Sequence, residues 1–268
     1  MPDALFTKDD LSGEISFEHV TYKIGEREIL KDVSFSIGAG KTLGIMGATG
    51  SGKTTIINLL KRMYDVTEGS IKIDGVDIRE LPLPVLRKSI SCVMQDIFLF
   101  SDSIDGNIKL GERESMTTPE VRIALEKSHS SEFVDKMEQK EQTVIGERGV
   151  GLSGGQKQRV LVAKILAQQT PIIFLDEPTT GLDMVYQEEI FRFAKALAEK
   201  GKTVLMVVHE LNLAAKYCSK VLLLGNKTIL AQGSPKEVFT EENLSEAYHC
   251  QIKVAKNPVT QNLEITAE

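Results

Sequence analysis

Gly47-Ala48-Thr49-Gly50-Ser51-Gly52-Lys53-Thr54 decides the fold. The stretch fits G-x-x-x-x-G-K-[ST], a pattern in which glycines let backbone N–H groups turn inward around an anion. Its flanks supply the context the pattern needs. Thr42–Met46 reads as a short buried strand, and Lys53–Met63 as a helix whose positive dipole end faces the loop. Gly47, Gly50, Ser51, Gly52, Lys53, Thr54 and Thr55 are therefore candidate nucleotide-binding residues. Lys53 would reach the β- and γ-phosphates of ATP, and the Thr54 hydroxyl would hold Mg²⁺. The bland alternative is a glycine-rich turn that binds nothing.

A second stretch answers the first. Ile172-Ile173-Phe174-Leu175-Asp176-Glu177 is an apolar strand ending in two acids. Open α/β sheets bind ligands where strands release their last residues. Asp176 suits a Mg²⁺ ligand, and Glu177 suits the group that orients and polarises an attacking water. Further outward, Ile15–Thr21 and Val33–Ile37 alternate apolar and polar residues, as half-buried strands do. Ile71–Ile73 and Ser91–Met94 are further short strands. From about Ile97 to Arg148 the pattern turns mainly helical. Helix Gln156–Gln168, helix Val185–Glu199, strand Val204–Val208 and helix Leu211–Tyr217 resume a parallel α/β alternation around the acidic strand. Val221–Leu224 and Thr228–Ala231 read as closing strands. Residues 1–13 read as a loose leader, and residues 241–268 as a small helix near Asn243–Tyr248 followed by a tail.

Composition narrows the function classes. The 268 residues are 41% hydrophobic and 26% charged, which fits a soluble globular domain and excludes a disordered chain. The formal charge of −6 weighs against nucleic acid as a partner. No apolar run approaches the roughly 18–20 residues of a spanning helix, so no membrane segment is expected in this chain. Cys92, Cys218 and Cys250 form no C-x-x-C pair and read as reduced thiols.

Leu152-Ser153-Gly154-Gly155-Gln156, lying between the lysine loop and the acidic strand, resembles the signature of ABC-type ATPases. The order of motifs resembles that family from about Glu14 to Thr240. The resemblance implies an α/β fold: a P-loop NTPase core with a mainly parallel sheet, an N-terminal antiparallel β subdomain and an inserted α-helical subdomain. It implies one domain over 1–268, with 1–95 and 163–240 as core, 96–162 as helical subdomain with the signature, and 241–268 as a C-terminal extension. It further implies roles. Gln95 would sense Mg²⁺ and the attacking water, and His209 would contact the γ-phosphate. Asp183 would belong to the loop Thr180–Asp183, and Tyr22 would stack on adenine. Ser153, Gly154, Gly155 and Gln156 would close over ATP held by a second copy, so that a homodimer forms head to tail on ATP binding. Transmembrane transporter subunits, absent from this chain, would be the mechanical partner. The assembled domain would sit in the cytoplasm, peripheral on the inner face of the membrane.

The two halves resemble different branches. Gln95-Asp96-Ile97-Phe98-Leu99-Phe100 through Asn107-Ile108, and Thr143–Gly149, are similar to exporter segments. Thr179–Asp183, His209-Glu210-Leu211-Asn212 and the tail Val238–Tyr248 are similar to importer ATPases that serve siderophore, haem or cobalamin uptake. These likenesses imply a hybrid, engineered or recombined, with its joint around Gln156–Ala167. The competing reading is a folded domain that binds ATP without forming a productive catalytic dimer. A third, a DNA-repair or chromosome ATPase, lacks the sustained heptads such proteins carry.

Overall fold

The computed structural model describes Thr7 and residues 10–93, 99–111, 116–146, 149–258 and 260–268. Two sheets carry the architecture. Strands β1 (Ile15–Ile24) and β2 (Arg27–Ile37) form an antiparallel hairpin. β4 (Glu68–Ile73) and β5 (Val76–Asp77) extend it in the order β2-β1-β4-β5.

The second sheet holds six strands. Its parallel part runs β11 (Lys220–Gly225), β3 (Thr42–Gly47), β10 (Thr203–Val207), β9 (Ile172–Asp176), β6 (Ile90–Val93), and β12 (Thr228–Gly233) closes it antiparallel beside β11. Every residue of β3, β9 and β10 is buried. That explains why these segments read as unbroken apolar runs: both faces are covered, so alternation is lost. Leu43, Ile45, Phe174, Leu205 and Val207 face one core, shared with the antiparallel sheet and α1 (Lys53–Leu60). Met46, Ile173, Leu175, Val204 and Met206 face the other, shared with α6 (Gly154–Gln168) and α7 (Met184–Glu199).

The inserted stretch is built on α3 (Ile104–Ile108), α4 (Thr118–Lys127) and α5 (Ser131–Val134), with a two-strand contact between β7 (Asp102–Ser103) and β8 (Val144–Ile145). These helices share a core with α6 through Val121, Ala124, Leu125, Val134, Val160 and Ala163. Among the described residues, α6 leaves no buried side-chain polar atom without a partner. Gln158 donates to the Pro178 carbonyl, and Gln168 bonds Ser91 and the Leu110 carbonyl. The helix expected to hold a joint is thus continuous and satisfied.

Two expectations are corrected. The leader is not loose from Leu11 onward: Leu11 is buried, and the Asp74 carboxylate accepts from the backbone of Ser12, Gly13 and Glu14. The tail is not a tail. After α10 (Glu241–Tyr248), strands β13 (Ile252–Lys256) and β14 (Leu263–Ala267) form an antiparallel hairpin. Among the described residues no helix is long and apolar enough to cross a membrane.

Buried Asn107 organises the loop that enters α3. Its amide accepts from Phe100 N–H at 2.7 Å and donates to the carbonyls of Phe100 and Ser103 at 3.1 and 3.0 Å. Asn107→Ala leaves those backbone groups unpaired, at a cost of about 1–3 kcal/mol. A calorimetric melt should fall by several degrees.

Candidate functional site

The register of three buried strands assembles the site. Val207 lies level with Asp176 on one side and with Ile45 on the other. Just beyond those positions the chain releases Glu177, His209 and the loop Gly47–Lys53 at the same carboxyl edge. Gly47 is required there by contact. Its φ is 141°, and a Cβ would fall 2.3 Å from the Leu224 carbonyl oxygen. Gly52, the residue before α1, has φ 104° and would put a Cβ 2.5 Å from Leu30 Cδ2. No side chain caps α1 at this end, so its first-turn N–H groups have no side-chain acceptor.

Lys53 is only 7% exposed. Its Nζ donates to the carbonyls of Gly47 at 2.9 Å and Ala48 at 3.1 Å, curling the loop around its own lysine. Burial pulls the Lys53 pKa down, and Glu177 and Asp176 oppose that pull. Asp176 is 5% exposed. Burial and then the neighbouring Glu177 push its pKa up, against Lys53 and His209. Ser51 Oγ is buried with no partner among the described residues.

Glu177 takes a left-handed backbone, φ 45°, and its N–H donates to Val207 O at 2.9 Å. Its carboxylate meets His209 Nε2 at 2.9 Å and accepts from Thr180 Oγ1 at 3.4 Å. A carboxylate can only accept, so the ring carries its proton on Nε2. Sequence reasoning missed Glu210. Its carboxylate accepts from Thr179 Oγ1 at 2.8 Å and from the His209 N–H at 3.2 Å, fastening the histidine segment to the loop after the acidic strand. The only sequence signal was an acid directly after the histidine.

The other expected residues lie elsewhere or are otherwise engaged. Ser153 caps α6: its Oγ accepts from Gln156 N–H, and Gln156 Oε1 accepts from Ser153 N–H at 2.9 Å. Ser153 and Gly154 are exposed, and among the described residues no hydrogen bond or ion pair joins 153–156 to the loop 47–55. Asp183 caps α7, accepting from the N–H groups of Val185 and Tyr186. Thr54 is exposed at the start of α1. Gln95 lies outside the described residues. Tyr22 departs from its expected role: it is 9% exposed, and its ring stacks on that of Tyr64 at 5.7 Å. The face a base would need is taken. The exposed apolar groups nearby are Tyr64 itself and Ile24, 61% exposed at the end of β1.

Thr54 and Asp176 offer hard oxygen donors, and the paired acids 176 and 177 face a single lysine, so an added Mg²⁺ fits the charge. Without it the Asp176 carboxylate is a burden on the fold. A raised pKa means that folding binds a proton more tightly, so the penalty is absent below the ordinary carboxylate range and complete above the raised value. Asp176→Asn should therefore raise the melting temperature of the nucleotide-free protein at pH 7, and the gain should shrink in melts taken at progressively lower pH.

Residues 30–180, more than half of the chain, match the family model described as ABC transporter. The chain is 36% identical over 246 residues to an ATP-dependent lipid A-core flippase of Vibrio vulnificus (strain YJ016), covering 91% of this chain and 42% of the flippase. It is 38% identical over 239 residues to the mitochondrial iron-sulfur clusters transporter ATM1 of Candida glabrata, covering 88% of this chain and 33% of that protein. Among solved structures, a bacterial Atm1-family ABC exporter with ATP bound superposes with a TM-score of 0.78 at 35% identity, over 88% of this chain and 41% of that one. The chain thus spans less than half the length of the relatives it matches. With this fold, this loop and these relatives, the chain belongs to the ABC transporter family, as one of its ATPase domains.

Proposed function

We propose that this domain hydrolyses ATP as a head-to-tail dimer and so powers the membrane part of a transporter. The observation that carries the reading is the Glu177–His209 pair at 2.9 Å, held at the same sheet edge as the buried Lys53. The uncapped first turn of α1 and the inward loop backbone bind the phosphates. Lys53 exchanges its two carbonyl partners for β- and γ-phosphate oxygens, a charge-assisted contact. The nest also offers the unpartnered Ser51 hydroxyl. Mg²⁺, held by Thr54 and Asp176 with Gln95, supplies neutralisation of phosphate charge when bound. Glu177 accepts a hydrogen bond from the attacking water and orients it, and His209 fixes the carboxylate through Nε2–H and lies ready for the γ-phosphate. Tyr64 and Ile24, in place of Tyr22, offer the apolar surface for the base.

A partner copy completes the site. Ser153 and Gly154 are exposed ahead of α6, whose N-terminus suits a γ-phosphate. Met184 and Val185, directly after Asp183, are 80% and 67% exposed, apolar area that a second copy would cover. Exposed Phe100, Val144 and Val150 cluster in the segments similar to exporters and suit a membrane subunit.

Within the importer-like segments, Thr179 of the loop bonds Glu210 of the switch segment. The exporter relatives nevertheless match about nine-tenths of the chain, so a single lineage with mixed features competes with the hybrid reading.

Glu177→Gln should abolish turnover while ATP-bound dimers accumulate on size-exclusion chromatography. Unchanged hydrolysis would falsify the assignment of Glu177. Lys53→Ala should weaken nucleotide binding by about tenfold or more, since a charged contact of about 1.5–3 kcal/mol disappears. Specific activity should rise with protein concentration until dimers dominate. A wild-type monomer that persists with ATP and Mg²⁺ and releases no phosphate would leave only the binding-domain reading.

A further inference from the structure

The segment that bears His209 leads into a short helix. Helix α8 (Leu211–Tyr217) has seven residues, no side-chain cap at its start, and Ala214 as its one buried residue. Leu211, Leu213, Ala215 and Tyr217 pack half-buried against the core, and Lys216 and Tyr217 bond Glu188 of α7, which fixes the helix toward its C-terminal end. Two side-chain clamps hold the segment at its start, next to His209. Glu210 ties the segment to Thr179 on the core side. On the other side, Asn212 reaches the terminal hairpin: its Oδ1 accepts from Ile265 N–H at 2.8 Å, and its Nδ2 donates to Ile265 O at 3.3 Å.

The geometry of the second clamp is specific. Ile265 pairs with Val254 in the hairpin, yet both of its main-chain groups bond the Asn212 amide, as they would bond another strand. A side-chain amide has one acceptor and two donor hydrogens, so it meets both groups at once. The hairpin is itself anchored. Ile252 N–H donates to Ser245 Oγ at 3.0 Å and Val254 N–H to Glu241 Oε1 at 3.2 Å, which makes α10 and the hairpin one unit. α10 in turn ends at Tyr248, whose hydroxyl is buried without a hydrogen bond among the described residues. Burial pushes that phenol's pKa up. The terminal unit therefore reaches the switch segment through Ile265.

We propose that α10, β13 and β14 form a brace that sets the aim of His209, with Asn212 as its positioning residue. The brace does not touch ATP. It acts by keeping the first turn of α8 in register with Glu177, so its loss lowers the hydrolytic step and spares binding. This rests on the hydrolytic reading above.

The test uses the full chain. Asn212→Leu keeps the side chain's size and removes both bonds. It should lower kcat about tenfold, equivalent to about 1.4 kcal/mol, with KM for ATP and the affinity for a fluorescent ATP analogue within twofold of wild type. Asn212→Asp puts a carboxylate oxygen against the Ile265 carbonyl, and protonation restores the donor. The carbonyl beside it disfavours the charged form, so the ratio of its kcat to that of wild type should climb as pH is lowered from about 7 to about 5. Wild-type kcat in Asn212→Leu overturns the brace. So does a loss in which ATP affinity and melting temperature fall together with kcat, which marks a merely structural bond. Should Asn212→Leu not fold, the aspartate ratio decides, and a flat ratio overturns the proposal. A wild-type chain that hydrolyses no ATP removes the underlying reading instead, which keeps the two failures apart.

Discussion

The lysine of the phosphate loop sets the terms for the rest of the molecule. Lys53 is buried against the carbonyls of its own loop and faces the acids that end β9. A buried ammonium is costly unless it is paired and hydrogen-bonded. The loop meets that cost with backbone oxygens, which also hold the loop in the curled shape that a polyphosphate needs. The same arrangement requires that strands β3, β9 and β10 end level with one another. Their complete burial between two cores enforces this, because slipping any one of them by a residue would turn its apolar faces around. Binding chemistry and sheet register are thus one constraint seen at two scales.

Strain gathers at the same edge. Gly47 and Gly52 occupy backbone conformations that a side chain would clash with, and Glu177 adopts a left-handed conformation without being glycine. Such a residue persists where the surroundings over-determine it. Here the determinants are the Val207 carbonyl, the His209 ring and the Thr180 hydroxyl, all bonded to Glu177. The Asp176 carboxyl lies next to it, and Glu177 helps to push the Asp176 pKa up. The edge is therefore poised to take up positive charge and phosphate together.

The sequence was legible where one chemical task fixes several neighbouring residues. Gly47–Thr54 and the acidic strand Ile172–Glu177 could be read because loop geometry and burial each dictate a residue type at a fixed spacing, and Ser153–Gln156 by its likeness to a family signature. The parallel strands were legible for the same reason, as apolar runs of strand length. What escaped depends on contacts between distant segments. Asp74 fastens 12–14 from some sixty residues away, and no local pattern around Ser12 announces it. The terminal hairpin was missed because Lys253 and Glu264 are exposed on short strands whose alternation is weak, and the turn between them is polar. The stacking of Tyr22 on Tyr64 is another such contact, since the two lie forty-two residues apart.

The pairs that sequence could not show also share a pattern. Thr179 with Glu210, His209 with Glu177 and Asn212 with Ile265 all join the segment after β10 to something else. That segment lies between a buried strand and a short helix whose Leu211, Leu213 and Ala215 are only half-buried, so side-chain bonds share with packing the task of placing it. Side-chain bonds of about 1 kcal/mol each are comparable with thermal energy, whereas core packing sums to far more. A histidine positioned by such bonds can shift without disturbing the sheet beneath it. A packed core cannot yield in this way, because its side chains are close-packed and resist continuous deformation. The weakness of the switch segment is thus what allows a rigid phosphate cradle and a movable histidine to share one sheet edge.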